Sequence, residues 1–219
     1  MIRNLLRLVD KWPLFLSGLG VTLALAGITV LLGTIIGALI AVLKTTKSKL
    51  VQFAVATYVE LIRGTPLLLQ LYFFYYLLPD VLQLELSKTT CIVIALVVNS
   101  SAYVAEIIRS GMQAVDKGQR EAAVSLGMSE INILLRILLP QAIKNILPAL
   151  GNEFIMVVKE TSLASAFFIG DLMTKSKELN GSMFMTIEPL IVVGMIYFVV
   201  TFTLSKLIGY FEGRMMISD

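Results

Sequence analysis

There is no histidine in the 219 residues, and the only cysteine is Cys91. The commonest metal ligand and general base is therefore missing, and a single thiol inside an apolar run closes no intrachain disulfide. Metal-centred and triad-type catalysis are not expected. Charge is scarce too: Asp, Glu, Lys and Arg make up 15% of the chain, against about 25% in average soluble domains, while apolar residues reach 57%. A mean hydropathy of +0.86 marks an integral membrane protein. The net charge of +3 and pI near 9.0 do not point to nucleic acid, because the basic residues are scattered along loops and not clustered with aromatics. They are read as setting membrane topology.

What the chain does have is long uncharged runs. The first, Trp12 to Leu43, carries no charged residue over about 30 positions, whereas a cleavable signal core runs to about 7–15, so it is expected to stay as a membrane span. Ahead of it, Arg3, Arg7 and Lys11 alternate with Ile2, Leu5, Leu6 and Leu8, the pattern of an amphipathic interfacial helix over 1–12 with Trp12 as anchor. Hydropathy places spans at 14–43, 50–79, 89–110, 137–158 and 189–210. The expectation is an all-α membrane protein, one transmembrane domain over 1–219 with about five transmembrane helices. Gly33-x-x-x-Gly37 would let another helix approach closely, a packing role that the sequence favours over a place in a solute path.

Polar residues inside these runs are the candidates for function. Glu60 and Arg63 stand three apart and could pair on one helix face. Gly64-Thr65-Pro66 directly after them would interrupt the helix. Irregular backbone at membrane depth is tolerated chiefly where it is buried in protein or lines a cavity. Asn99, Tyr103 and Glu106 fall on one helical face, where helix-to-helix hydrogen bonding and solute contact are equally good readings. Further on come Asn152-Glu153, then Lys159-Glu160-Thr161-Ser162, then Asp171. Glu153 and Glu160 are two turns apart, and so many charges beside apolar residues must pair or face water. The site reading is a small zwitterionic or cationic solute; the structural alternative pairs Lys159 with Glu160 or Glu153.

Between the third and fourth spans lies a polar loop, 116–136, with its own helix punctuation. Asp116 is placed to cap, Gln119 stands where a capping-box partner belongs, and Gly127 can close the turn. Within it, Ala122, Ala123 and Leu126 form a small apolar ridge beside Glu121.

Glu121-Ala122-Ala123, three residues, Gly127, nine residues, then Ile137-Leu138-Leu139-Pro140 resembles the cytoplasmic EAA loop of binding-protein-dependent ABC importer permeases. That loop docks into a groove on the ATPase subunit. Three further blocks resemble the polar-amino-acid branch, the histidine/glutamine/arginine type. They are Glu60-x-x-Arg63-Gly64-Thr65-Pro66-Leu67-Leu68-x-Gln70-Leu71, Ala102-Tyr103-x-Ala105-Glu106-x-x-Arg109-x-Gly111, and Lys159-Glu160-Thr161-Ser162-Leu163. Lys-Asp is the commoner form at Lys159-Glu160, and glutamate keeps the charge.

The resemblance implies a type I ABC importer permease fold in a bacterial cytoplasmic (inner) membrane. It implies a second permease copy or homologue, two ABC ATPase subunits and an extracytoplasmic amino-acid-binding protein. ATP and Mg would be bound by the ATPase, with no cofactor in this chain, which itself lacks a Gly-x-x-x-x-Gly-Lys-Ser/Thr phosphate loop. Membrane lipid is the surrounding partner and nucleic acid is not one. With the coupling loop inside, the N-terminus is expected outside and the C-terminus in the cytoplasm, and most Lys and Arg residues then fall inside.

The expected importer carries an L-amino acid, with arginine, lysine or histidine favoured over glutamine because carboxylates are in excess. Gly64, Thr65, Pro66, Leu67, Asn99, Ser101, Tyr103, Glu153, Lys159, Glu160, Thr161 and Asp171 are the candidate substrate residues. Lys159 would meet an α-carboxylate, Glu160 an α-ammonium, and Glu153 or Asp171 a cationic side chain. Glu121, Ala122, Ala123, Leu126 and Gly127 are the candidate coupling residues. A channel or a structural membrane scaffold also fits five spans, but has no use for a capped coupling loop.

Overall fold

The first apolar run folds as helix α1 (Trp12–Leu43), in a computed structural model that describes residues 7–216. Pro13 sits in its first turn, where a missing N–H breaks no helical bond. At 1.5 Å per residue the 32 residues reach about 48 Å, more than the roughly 30 Å of a hydrocarbon core. The second run does not form one rod. Helices α2 (Lys49–Arg63) and α3 (Leu67–Leu82) meet at an angle of 107°, with Gly64, Thr65 and Pro66 between them. The expected span 50–79 is therefore a broken one.

Helix α4 (Lys88–Gln113) starts where the Ser87 hydroxyl accepts a hydrogen bond from the Thr90 N–H at 3.1 Å. The polar loop folds as α5 (Lys117–Ser125) and the single turn α6 (Glu130–Ile133). A π-helical stretch, Leu134–Leu138, then leads into α7 (Leu139–Glu160), and a 3-10 helix, Thr161–Phe167, follows it. Pro140 accounts for the wider turn, because it offers no N–H to the carbonyl four residues back. The chain closes with α8 (Leu172–Met183) and α9 (Ile187–Met216).

Among the described residues, four helical stretches are long and apolar enough to cross a membrane, and the bent α2–α3 pair makes a fifth if it counts as one span. The fourth, Glu130–Phe167, is far longer than the expected 137–158 because helical turns extend it at both ends. The stretch 171–188, which falls between the expected fourth and fifth spans, holds α8, which packs on α1 through Leu172, Leu179 and Phe15. Leu8 joins this cluster at 3% exposure, so it points into protein and not towards lipid headgroups. The rest of the expected interfacial helix, residues 1–6, lies outside the described residues.

Helices α1 and α4 make the most extensive pairing, and glycine permits it. A Cβ at Gly33 would stand 2.9 Å from the Ser100 Cβ, and one at Gly37 would stand 2.7 Å from the Ser101 carbonyl oxygen. The Gly33-x-x-x-Gly37 pair is thus a packing motif, and its partner is α4. Helix α7 lies against α4, where Gly111 meets Ile146, and against α9, where Gly151 meets Ile208.

Candidate functional site

Breaking a helix among apolar side chains frees backbone carbonyls that water cannot reach. Here the break is closed by a residue that the sequence reading quoted in a family block but gave no role. Gln70, on the first turn of α3 and 5% exposed, donates its amide Nε2 to the Ile62 carbonyl at 2.7 Å, the Thr65 carbonyl at 3.1 Å and the Thr65 hydroxyl at 2.9 Å. Thr65 in turn donates its hydroxyl to the Leu61 carbonyl at 2.9 Å. The Gln70 Oε1 accepts from Asn99 Nδ2 at 2.8 Å, which ties the elbow to α4. An amide a few residues after a Gly-Thr-Pro break in an apolar run was the available signal.

Three consecutive residues of α4 point to three neighbours. Asn99 faces the elbow. Ser100 packs against Gly33 of α1 and donates its hydroxyl to Glu153 Oε1 of α7 at 3.2 Å. Ser101 shares a 2.7 Å hydrogen bond with the Tyr58 hydroxyl of α2, which is also within 2.9 Å of the Val98 carbonyl. One turn of α4 thereby links Thr65, through Gln70, to Glu153.

Towards the end of α4 the polar face continues. Tyr103 lies under the Arg63 guanidinium, 5.4 Å from ring centroid to Cζ, and Glu106 takes a two-pronged hydrogen bond from Arg109. Arg63 approaches Glu106 at 3.8 Å, so its pair is across helices and not with Glu60 on its own. A partner one turn away lost to one presented by tertiary packing.

The remaining candidates sit on other elements. Lys159 is exposed and lines a cleft of about 280 Å³ with Ser162, Met173, Leu190, Val193, Gly194 and Tyr197. Glu160 is half-buried beside it. Thr161 is fully buried and donates its hydroxyl to the Val158 carbonyl at 2.7 Å. Asp171, also fully buried, caps α8: its carboxylate accepts from the Met173 N–H at 3.0 Å and from the Thr174 hydroxyl. Burial pushes its carboxyl above the ordinary range, while those hydrogen bonds pull it back down. Asp171 is already engaged in holding α8.

Helix α5 is built as its punctuation implies at both ends. Asp116 accepts from the Gly118 N–H at 2.7 Å, and Gly127 adopts φ +74°. At that end Met128 N–H reaches the Ala123 carbonyl at 3.1 Å and Gly127 N–H reaches Val124 at 2.9 Å, the two bonds of a Schellman cap. No capping box forms, because the Gln119 side chain accepts instead from Gln141 Nε2 at 3.5 Å. Of the expected ridge, Ala123 is buried against its own chain, whereas Ala122 and Leu126 remain exposed beside Glu121. An ion pair from Arg120 to Glu130, 2.6 Å long, joins α5 to α6.

A multi-pass helical bundle with an internally pinned broken helix is an architecture that membrane transporters use. The profile of the family described as "Binding-protein-dependent transport system inner membrane component" matches residues 14–217, and the chain belongs to that family. It is 37% identical to the arginine transport system permease protein ArtQ of Bacillus subtilis over 96% of each chain. With the putative glutamine transport system permease protein GlnP of Rickettsia typhi it shares 34% identity over the whole of both chains. The crystal structure of an amino acid ABC transporter with histidines superposes with a TM-score of 0.92 and 45% identity, covering 95% of this chain and 97% of that one. An inward-facing structure of the MetNI methionine ABC transporter, at 16% identity and a TM-score of 0.71 over 92% and 97% of the two chains, shares the fold. The importer-permease resemblance read from the motifs therefore holds.

Proposed function

We propose that this chain is the permease subunit of an ATP-driven ABC importer for polar L-amino acids and that it prefers basic ones. Relatives that carry the names arginine and glutamine support the amino-acid class without separating the two side chains. The observation that carries the basic preference is Glu153. It is 9% exposed, its hydrogen bond comes from the uncharged Ser100, and no cation pairs with it among the described residues. A buried charge without its counter-ion is costly, and an arriving guanidinium or ammonium removes that cost. The opposite end of an amino acid finds donors at the elbow. Helix α3 begins there without a side-chain cap, so the positive end of its dipole and the first N–H groups, from Leu67 onward, suit an α-carboxylate. Gly64, Thr65 and Pro66 form that point and Asn99 reaches it through Gln70, while Ser101 and Tyr103 face Tyr58 and Arg63 of α2.

A second reading gives the α-carboxylate to Lys159 and the α-ammonium to Glu160. It is favoured by one fact: Lys159 is exposed in a mostly apolar cleft and has no ion-pair partner among the described residues. Thr161 and Asp171 would then support that region from behind.

Coupling runs through α5. Two ATPase subunits closing on ATP would press on Glu121, Ala122 and Leu126, with Ala123 and Gly127 holding the shape beneath, and a second permease copy would complete the conduit. The binding protein delivers from outside, where the N-terminus lies, and the C-terminus is cytoplasmic.

The test is ATP-dependent uptake of labelled arginine, histidine and glutamine into liposomes holding this chain, its ATPase and its binding protein. Losing a hydrogen bond to a charged group is worth about 1.5–3 kcal/mol, so Glu153→Gln is expected to lower the arginine-to-glutamine ratio by about ten-fold or more. An unchanged ratio would remove Glu153 from side-chain recognition. Loss of both substrates in Lys159→Met with normal assembly would favour the second reading.

A further inference from the structure

Neighbouring serines on α4 use their hydroxyls differently. Ser101 donates to the Val98 carbonyl at 2.8 Å, the bond to the preceding turn that a serine inside a helix commonly makes, and meets the Tyr58 hydroxyl at 2.7 Å. Ser100, 1% exposed, sends its hydroxyl across to α7, where it donates to Glu153 Oε1 at 3.2 Å. Gly33 of α1 leaves the room for this. A Cβ built there would stand 2.9 Å from the Ser100 Cβ and 2.9 Å from its Oγ, so a side chain at position 33 and the hydroxyl would compete for one space. Three helices thus converge on a single hydrogen bond, for which α1 leaves the space, α4 supplies the donor and α7 the carboxylate. Among the described residues no donor reaches Oε2, the other oxygen of Glu153.

We infer that Ser100 is the positioning residue for Glu153 and that Gly33 sets Ser100, so that the contact between α1 and α4 determines how strongly the carboxylate reads a cationic side chain. A hydrogen bond to one oxygen stabilises the carboxylate ion and fixes its orientation, which leaves the other oxygen to accept from an arriving guanidinium or ammonium. Without that donor the buried carboxylate loses its one hydrogen bond and is free to turn away. An uncharged solute of the same shape gains little from the ion in either case, so the loss falls on the cation. Ser100 acts through Glu153 and does not itself touch solute. The inference rests on the reading of Glu153 above, because it needs a carboxylate that recognises charge.

The experiment compares binding of labelled L-arginine and of L-citrulline, its uncharged analogue of the same length, to the purified permease–ATPase complex. The ratio of their affinities isolates the side-chain charge. Ser100→Ala is expected to lower the arginine-to-citrulline ratio about ten-fold, the lower end of what a hydrogen bond to a charged group contributes. In a Glu153→Gln background the same substitution should change the ratio by less than about two-fold, because two residues that act through one contact are not additive. A second full loss there would overturn the inference, as would equal loss of both ligands in Ser100→Ala, which describes a residue that only holds the bundle together. Gly33→Ala, which leaves Ser100 in place but takes its space, should also lower the ratio. Gly37→Ala presses α4 at the Ser101 carbonyl and Val104 instead and should lower it less, so equal losses at the two glycines count against the inference. If Ser100→Ala does not assemble, Ser100→Cys, of similar size with a weaker donor, should lower the ratio in the same direction, and a wild-type ratio there overturns the role of Ser100. A wild-type ratio in Glu153→Gln overturns both this inference and the reading of Glu153 beneath it. A ratio that falls in Glu153→Gln and stays at the wild-type value in Ser100→Ala overturns the role of Ser100 alone.

Discussion

Gly127 offers a perturbation whose size follows from geometry. It closes α5 at φ +74°, and a Cβ added there would meet nothing within 4 Å. Steric crowding inside the chain is therefore absent, and the whole penalty of a side chain lies in the backbone, about 1–2 kcal/mol for an ordinary L-residue in the left-handed region. That is about a 5–30-fold shift between the capped and frayed ends of the helix. Asparagine visits this region more easily, and a β-branched residue least easily. If α5 passes ATPase movement to the spans, uptake of arginine per ATP hydrolysed should fall in the order Gly, Asn, Ala, Val, with membrane assembly unchanged. The assay is parallel measurement of labelled uptake and phosphate release in the same proteoliposomes. Gly127→Val coupling as well as wild type would refute the cap as a working part. Gly127→Asn failing as badly as Gly127→Val would show that bulk at a docking surface matters, and not dihedral preference.

Two further outcomes follow from the packing. Asp171→Ala removes the cap of α8 and should lower thermal stability by about 1 kcal/mol while leaving the arginine-to-glutamine uptake ratio unchanged; a changed ratio would return Asp171 to the substrate path. Gly33→Val must displace Ser100, since its Cβ would stand 2.9 Å from that side chain, and overpacking of this kind costs about 1–3 kcal/mol. Gly20→Val, where a Cβ meets nothing within 4 Å, is the control, and equal melting temperatures for the two variants would contradict the close α1–α4 contact.

Local rules made much of this protein legible. Apolar runs of span length favour a bilayer over water, so the candidate spans were legible from hydropathy, though not their bounds. Asp116 and Gly127 announce the ends of α5 because capping chemistry involves neighbours in sequence. The same locality explains why Gly64-Thr65-Pro66 could be read as a break, and Gly33-x-x-x-Gly37 as a contact.

Partner choice was decided by the tertiary structure. Arg63 meets Glu106 on α4 and not Glu60 one turn away, and Asp171 caps a helix that lies between the expected spans. Gln70 carried no charge and stood in the sequence only as one member of a family block, yet it binds the Ile62 and Thr65 carbonyls because the 107° bend brings them within reach. The sequence alone marked which segments are long and apolar enough to cross a membrane and where the second of them breaks, since desolvation and backbone sterics act residue by residue. Which polar groups meet inside the bundle depended on how helices distant in sequence pack, because a side-chain hydrogen bond exists only within about 3 Å, a distance that no local pattern encodes.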